Sequence, residues 1–379
     1  MFRVALVSPY DMAHAGGVSE HVRQLYTHLT GIGATVKIIA PSSDRRQSHP
    51  DFYNLGRVTP VQINGSVARV SLSLNLAPRI HAILRREQFD IIHIHEPLAP
   101  TLPTTMLRCS ETVNIGTFHA AGTRSIGYAT IHRWLSRLAR HLHGRIAVSQ
   151  AALRLVSRYF PGDYTIIPNG VDTSIYHPGV QPIPEFADGI YNLLFVGRYN
   201  DERKGFRYLL DAFALVQEIL PRTRLLVVGS GDPTPFRAQI RQLHLRDVIF
   251  VGYVDKPTLA RFYNTAHLFC APSIGQESFG IVLLEAMATG CPIVAADNEG
   301  YRQVVDHRRQ GLLVQPRNAE ALAVAILQLL QDEHLRRSLA VDGLHKAQAY
   351  AWEYIASQVL DFYQQVTSRQ PASVEVAQC

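Results

Sequence analysis

Two cations and two carboxylates mark the chemistry this sequence can do. Arg198 and Lys204 bracket the stretch Gly197-Arg198-Tyr199-Asn200-Asp201-Glu202-Arg203-Lys204-Gly205, which continues an apolar, β-rich run over residues 191–197. Such a loop lies at the C-terminal end of its strand, where a parallel sheet holds its ligands. Arginine offers a planar fork and lysine a mobile point charge, a pair suited to a diphosphate. Asp201 and Glu202 between them leave a purely local salt-bridge loop as the alternative. Glu277 and Glu285 stand in the stretch 274–290, which reads as a polar loop, a helix opening near Phe279 or Gly280, and a glycine stop at Gly290. Everything between the two carboxylates is apolar or small except Ser278. Neither Glu therefore belongs to a solvated charged face; each is aimed at a ligand or a buried partner. The backbone N–H groups of Ser278, Phe279, Gly280 and Ile281 form an anion-attracting helix N-terminus. In outline this is a pocket for a sugar nucleotide.

The first half of the chain adds polar groups at strand ends. Gly16 and Gly17 close the loop from Pro9 to Val18 and let a ligand approach the helix that follows. The pattern is not Gly-x-Gly-x-x-Gly, so a nicotinamide or flavin cofactor is disfavoured. His93-Ile94-His95-Glu96-Pro97 invites a metal reading, but no further ligand set follows at a suitable spacing, and hydrogen bonding is the better reading. His119 ends the next strand and points to where a sugar hydroxyl could be bound or polarised; a satisfied core histidine is the alternative. Asn64-Gly65-Ser66-Val67-Ala68-Arg69 reads as a turn ending in a cation. The basic amphipathic helix over 77–86 sets Arg79, His81, Arg85 and Arg86 beside an apolar face of Ile80, Ile83 and Leu84. It suits either its own core or an anionic bilayer.

The elements that must position these residues are strands alternating with helices. Strands are predicted over 3–7, 35–40, 91–94, 113–117, 145–148 and 165–167, with helices over 18–29, 77–86 and 124–139. A second alternation runs through strands over 191–197, 224–229, 248–250, 267–270 and 292–296, and closes in helices over 319–330, 333–349 and 352–366. The fold class is α/β: two doubly wound, Rossmann-like domains with parallel sheets, facing a cleft. The expected boundaries are 1–176, a proline-rich linker at 177–190, 191–350, a helix at 351–366 crossing back to the first domain, and a flexible tail at 367–379. At 379 residues two cores are the default, and 47% hydrophobic with 18% charged residues is a soluble, globular composition. The opening stretch over 1–7 reads as a strand rather than as a signal peptide, and Cys109, Cys270, Cys291 and Cys379 read as reduced cytoplasmic thiols. A net charge of +6 favours an anionic partner: nucleotide phosphates, an acidic membrane surface or nucleic acid.

Taken together, the Gly16-Gly17 loop, Ile167-Pro168-Asn169-Gly170-Val171-Asp172, Arg198 with Lys204-Gly205, and Glu277 with Glu285 resemble retaining glycosyltransferases of family 4, which have the GT-B fold. The likeness extends to about residue 366. It is nearest to the bacterial phosphatidylinositol alpha-mannosyltransferases that use GDP-mannose, through Asn64–Arg69, His93–Pro97, the stretch 144–149 and the stretch 277–282. The resemblance implies that Arg198 and Lys204 hold the donor diphosphate and Glu285 the ribose. It places Glu277 with Ser278, Phe279, Gly280 and Ile281 on the sugar and phosphates, and Val254 and Asp255 beside the base. Gly17 would approach the diphosphate, Tyr10 would stack on the inositol ring, and Ser19, Asn64 and Arg69 would surround the acceptor. His119 would lie next to the reacting sugar, and Arg79, Arg85 and Arg86 would dock on the inner face of the cell membrane. No tightly bound cofactor is implied, and no Asp-x-Asp metal motif is present, so any Mg2+ would ride on the donor diphosphate. The implied partners are a nucleotide sugar, a lipid acceptor and an anionic membrane surface, not nucleic acid. Lys256 departs from the acidic residue those mannosyltransferases tend to carry near the base, and the basic helix has fewer lysines.

The implied reaction moves a hexose with retention, and no carboxylate is an evident nucleophile. Within the family the rivals are UDP-glucose or UDP-galactose as donor, and diacylglycerol, a polyprenyl lipid or a soluble polyol as acceptor. Outside it stand a nucleotide-sugar epimerase or sugar-phosphate-binding protein, and a dinucleotide-dependent oxidoreductase.

Overall fold

A computed structural model of the chain describes residues 1–14, 16–44, 49–63, 66–73, 75–122, 124–275 and 277–369. The chain divides into two compact units: Met1–Asn169 joined by the segment from Trp352 onward, and Gly170–Ala351. In the first, the elements run β1 (Arg3–Val7), α1 (Gly17–Gly31), β2 (Thr35–Ala40), β3 (Phe52–Asn54), β4 (Val58–Ile63), β5 (Ser66–Ser71), α2 (Ala77–Glu87), β6 (Ile91–His95), α3 (Leu102–Cys109), β7 (Val113–Phe118), α4 (Ile126–Thr130), α5 (His132–Ala139), β8 (Gly144–Ala147), α6 (Gln150–Tyr159) and β9 (Thr165–Ile166). The sheet is parallel throughout, in the order β3-β2-β1-β6-β7-β8-β9, with β4 and β5 as a separate antiparallel hairpin. Side chains alternate between its two faces. Val4, Leu6 and Ile91 pack with Val22 and Leu25 of α1, and Ala5, Val7, Ile92 and Ile94 pack with α2, α3 and α5 on the other side.

The second unit runs β10 (Tyr191–Val196), α7 (Phe206–Ile219), β11 (Thr223–Val228), α8 (Thr234–Gln242), β12 (Val248–Gly252), α9 (Lys256–Thr265), β13 (Leu268–Ala271), α10 (Ile281–Thr289), β14 (Ile293–Ala296), α11 (Glu299–Arg302), β15 (Gly311–Val314), α12 (Ala319–Gln331) and α13 (Glu333–Gln348). Its sheet is again parallel, in the order β12-β11-β10-β13-β14-β15. Helices α9 and α10 cover one face and α7 and α12 the other. The last helix, α14 (Trp352–Ser368), lies in the first unit, where Trp352, Ile355, Val359 and Tyr363 join the core beside α1.

Several boundaries differ from the sequence reading. The proline-rich stretch over 177–190 is no free linker: Val180, Ile183 and Phe186 pack on the second core, and Thr265 Oγ1 accepts the Ile183 N–H at 2.8 Å. Its scattered apolar residues pull it down, and the units divide earlier, between Asn169 and Gly170. The single helix expected over 124–139 is two, because Ile131, at φ −117°, breaks the run between α4 and α5. Arg69 lies within β5 rather than ending a turn. Asn64 falls outside the described residues.

Candidate functional site

In the second sheet the chain moves outward from β10 to β12, then returns to place β13 on the other side of β10. The order of strands reverses there, and the C-terminal loops of the two neighbours meet. One loop carries Arg198 and Lys204, the other Glu277. Lys204 Nζ donates to Glu277 Oε1 at 2.6 Å, with the two side chains 23% and 16% exposed. Ser273 Oγ lies 2.9 Å from the same oxygen and 2.7 Å from the Arg203 carbonyl, either of which can take its proton. The Ile274 N–H donates to that carbonyl at 2.8 Å, tying the loops together. Gly205 makes the approach possible: at φ +68°, a Cβ there would stand 2.1 Å from the Pro272 carbonyl oxygen.

The local salt-bridge alternative turns out to engage a different residue. Arg203 grips Asp201 at two points, Nε at 3.0 Å and Nη2 at 2.5 Å. Although burial works against it, this pairing holds the Asp201 carboxyl below its ordinary range. Arg198 reaches Asp201 only at 3.5 Å and its side chain stays 51% exposed. A half-exposed guanidinium and an ammonium shared with a carboxylate are thus presented on one loop pair. The ammonium and guanidinium can meet phosphate oxygens, and the carboxylate can accept hydrogen bonds from sugar hydroxyls.

Helix α10 opens beside them. Gly280 caps it at φ +104°, and a Cβ there would stand 2.8 Å from the Tyr301 ring. Its first turn carries the positive end of its dipole, with the Leu283 N–H donating to the Gly280 carbonyl at 2.9 Å. Phe279 is buried and its ring lies 5.9 Å from that of Tyr350, so it can serve an anion only through its backbone. A turn into the helix, Glu285 Oε2 is 3.0 Å from the Tyr263 hydroxyl. Burial and then the Glu285 charge push the Tyr263 pKa well above its usual value, keeping that hydroxyl a donor. Asp255 caps α9 by accepting the Thr258 N–H at 3.0 Å, and Val254 is half-buried against the core.

The first sheet reverses its order between β1 and β6, and polar groups again gather at the loops. Asp11 pins the β1 loop. Its Oδ1 accepts the N–H groups of Ser43 at 2.9 Å and Ala13 at 3.0 Å, and its Oδ2 meets Ser43 Oγ and His14 Nδ1, each at 2.7 Å. Against the effect of burial, these bonds keep its carboxyl below the ordinary range. Tyr10 bridges to Val70, and the Asp11 N–H donates to the Arg69 carbonyl at 2.9 Å, so β5 lies along this loop with the Arg69 side chain exposed. Ser19 is buried, its Oγ 3.4 Å from the Asp11 carbonyl, while a Cβ at Gly17 would meet nothing within 4 Å. The α1 N-terminus therefore has open space in front of it.

His119 is not on an open surface. It is buried, with Nε2 3.0 Å from His95 Nδ1 and the His21 ring centroid 4.8 Å from its own. His21 Nδ1 is 2.8 Å from Asn169 Oδ1, and His93 is held between Thr117 Oγ1 at 2.6 Å and the Tyr363 hydroxyl at 2.7 Å. Burial pushes all four imidazoles down, His21 to about 4 and His93 to about 3, so they are neutral. One ring nitrogen from each of His21, His95 and His119 lies within 4.8 Å of the others, a spacing a metal ion could bridge. Hydrogen bonds engage His21 Nδ1 and the facing nitrogens of His95 and His119, whereas His95 Nε2 is buried with no hydrogen-bond partner among the described residues. Glu96 supports His119 from below: at φ +51°, its Oε1 accepts the N–H groups of His119 at 2.8 Å and Ala120 at 2.7 Å. On α2, Arg85 and Arg86 are exposed, and Arg79, also exposed, donates to the Asn54 carbonyl at 3.1 Å.

Sequence reading missed Ser273, Tyr263, Asp11 and His21. Only His21 left a signal, as a polar residue on the same helical face as Val22, Leu25 and Leu29.

Two parallel, doubly wound units, each with polar loops gathered where its strand order reverses, define the architecture of a GT-B glycosyltransferase. A family profile described as "Glycosyltransferase Family 4" matches residues 15–175, and one described as "Glycosyl transferases group 1" matches residues 190–332. The chain belongs to the glycosyltransferases of family 4. It is 37% identical over 374 residues to a phosphatidyl-myo-inositol mannosyltransferase of Mycobacterium leprae, covering 97% of each chain. To the enzyme of the same name from Mycobacterium tuberculosis it is 35% identical over 381 residues, 99% of this chain and 100% of the other. Among solved structures, Anabaena HepE in complex with UDP matches with a TM-score of 0.77 at 20% identity, covering 96% of this chain and 100% of that one. The fold of a sucrose-phosphate synthase from Thermosynechococcus elongatus matches at 0.74 and 24% identity, covering 97% and 100%. Among the described residues no helix is long and apolar enough to cross a membrane.

Proposed function

We propose that the protein transfers mannose from GDP-mannose to the inositol ring of phosphatidylinositol, with retention at the anomeric carbon, on the inner face of the cell membrane. The observation that carries the reading is the Lys204–Glu277 pair at 2.6 Å beside Arg198 and the N-terminus of α10. The names of the full-length relatives support the choice of sugar and acceptor. In the reaction the bond between the anomeric carbon and the diphosphate breaks and its electron pair leaves with the phosphate. The inositol oxygen bonds to the same face of that carbon, and its proton passes to the leaving phosphate.

Negative charge grows on the diphosphate, where Arg198, Lys204 and the N–H groups from Ser278 to Ile281 stabilise it, usually the largest single catalytic term. Any Mg2+ would be carried on that diphosphate and would add to the stabilisation of its charge. Glu277 orients the sugar, Glu285 holds the ribose, and Val254 and Asp255 flank the base. In the first unit the open space before Gly17 admits the diphosphate. Tyr10 stacks on the inositol ring, with Ser19, Asn64 and Arg69 about the acceptor phosphate. His119, a neutral imidazole, hydrogen-bonds the reacting sugar. Arg79, Arg85 and Arg86 hold the protein to anionic lipid.

One observation favours a second reading, a UDP-sugar donor: Lys256, the first residue of α9, replaces the acidic residue that the resembled mannosyltransferases tend to carry near the base. A donor and acceptor screen tests both. GDP-mannose, UDP-glucose and UDP-galactose are each offered with vesicles of phosphatidylinositol or diacylglycerol, and products are read by mass. The proposal expects mannosylated phosphatidylinositol from GDP-mannose alone. Product from a UDP-sugar would overturn the donor, and a glycosylated diacylglycerol would overturn the acceptor.

A further inference from the structure

Residues 112–162 contain seven arginines and no aspartate, glutamate or lysine, although acidic residues make up 31 of the 379 in the chain. Helix α5 lies in the middle of this stretch. Leu135, Leu138 and Ala139 bury its core-facing side, so the helix needs no further apolar residue to hold its place. Yet Ile131, the residue that leads into α5, and Trp134, in its first turn, stand 48% and 44% exposed. Arg133, Arg137 and Arg140 are exposed around them. Single exposed apolar residues are ordinary on a protein surface. A tryptophan and an isoleucine set together among uncompensated arginines are the composition of a surface that lies in a lipid interface, with the indole among the headgroups and the cations on lipid phosphates.

The rest of the layer agrees. Helices α2, α3 and α5 pack on one face of the first sheet, through Ile80 and Ile83, Leu102 and Met106, and Leu135 and Leu138. Their outer sides therefore belong to one surface. It displays Arg85 and Arg86 on α2, the latter with Nε 3.5 Å from the buried Glu87, and Arg108 on α3; the exposed Glu111 follows the end of α3.

We infer that α5 is a second membrane-contacting element, in which Trp134 and Ile131 enter the interfacial region of an anionic bilayer while Arg133, Arg137 and Arg140 bind its phosphates. The inference rests on the reading of the first unit as membrane-facing, and is independent of which sugar or lipid reacts. It adds an apolar anchor to what α2 supplies by charge alone.

Intrinsic fluorescence isolates the claim. The chain has two tryptophans, and Trp352 is 3% exposed, packed against His21 and His28. A change in emission on adding vesicles therefore reports Trp134. With phosphatidylcholine vesicles containing phosphatidylglycerol, the emission should shift to the blue and be quenched by lipids brominated near the top of the acyl chain. Ile131→Ser with Trp134→Ser should lower co-sedimentation with those vesicles by about tenfold, and each arginine of α5 changed to Ser by about fivefold. Protein that sediments with the vesicles while its emission stays unshifted and unquenched would overturn the inference. Protein that does not sediment at all would overturn both this and the membrane-facing reading. If Arg79→Ser with Arg85→Ser and Arg86→Ser abolishes sedimentation while the Ile131 and Trp134 variant binds normally, the α2 anchor stands and the α5 anchor falls.

Discussion

Lys204 shows how much of the donor site depends on one side chain. Its ammonium has three N–H donors, so it can keep Glu277 and still turn a donor toward a phosphate. On the proposed reading, Lys204→Ala therefore removes a cation from the leaving group and one of the hydrogen bonds that hold the Glu277 carboxylate on the sugar. We expect kcat/KM to fall about 100- to 1,000-fold, the scale seen when a preorganised charge-stabilising donor is lost. The melting temperature should hardly move, because a partly exposed pair contributes only about 0–1 kcal/mol to stability; transfer assays beside thermal melts check both. Arg198→Ala, which breaks only a 3.5 Å contact, should behave likewise. The histidines make a prediction of the opposite kind, large in stability. In the unfolded chain each would titrate near 6.5, whereas burial holds His21 near 4 and His93 near 3. Above pH 6.5 neither state binds these protons and stability is full. As pH falls below 6.5 the unfolded chain takes up protons that the fold refuses, so stability drops by up to about 1.4 kcal/mol per pH unit for each histidine. The urea midpoint should decline steadily from pH 6.5 to pH 5; a flat midpoint would mean the imidazoles protonate in place. The sequence announces Glu277 because a charged residue in apolar surroundings is conspicuous, and Arg198 and Lys204 because they bracket a loop that directly follows a β-rich apolar run. It conceals the surroundings of His119, because His21 reaches it from another element and no local pattern links the two.

At the level of elements, the opening of α10 is set by backbone geometry. Gly280 and Gly290 bracket the helix, both at positive φ, and both are legible in the sequence as a start and a stop. The break between α4 and α5 is not legible, since neither proline nor glycine marks Ile131. The β4–β5 hairpin was also hidden, the polar residues of its strands being mixed with apolar ones. Gly280→Ala tests how closely the helix opening is tied to donor binding. The new Cβ would meet the Tyr301 ring at 2.8 Å in a left-handed backbone, at a cost of about 1–3 kcal/mol. The melting temperature should fall, and the KM for the nucleotide sugar should rise as the first-turn N–H groups move away from the phosphates. Loss of stability with an unchanged KM would separate the helix opening from the donor site.

For the whole molecule, the decisive feature is the return of α14 to the first unit. The strand alternation makes two doubly wound units legible from the sequence, but the contact boundary at Asn169 and Gly170 depends on how the following proline-rich stretch packs, which composition does not reveal. Trp352, Ile355, Ala356, Val359, Phe362, Tyr363 and Val366 are buried by α14, and the Tyr363 hydroxyl holds His93 at 2.7 Å. At about 1.5–3 kcal/mol for each large side chain, these residues contribute about 10 kcal/mol or more. That is comparable with the about 5–15 kcal/mol that holds a typical domain together. A chain ending at Ala351 should consequently lose its first unit, whereas a fragment of residues 170–351 contains every contact of the second core. The fragment should melt cooperatively and bind GDP with an affinity close to that of the full chain, measured by calorimetry, since the proposed groups for the diphosphate and ribose, Gly17 apart, lie within it. The chain ending at Ala351 should show native shifts only for the second unit in amide NMR spectra. A folded first unit in that truncated chain would mean that α1 and the sheet suffice without α14, and an unfolded 170–351 fragment would mean that the two units share one cooperative core.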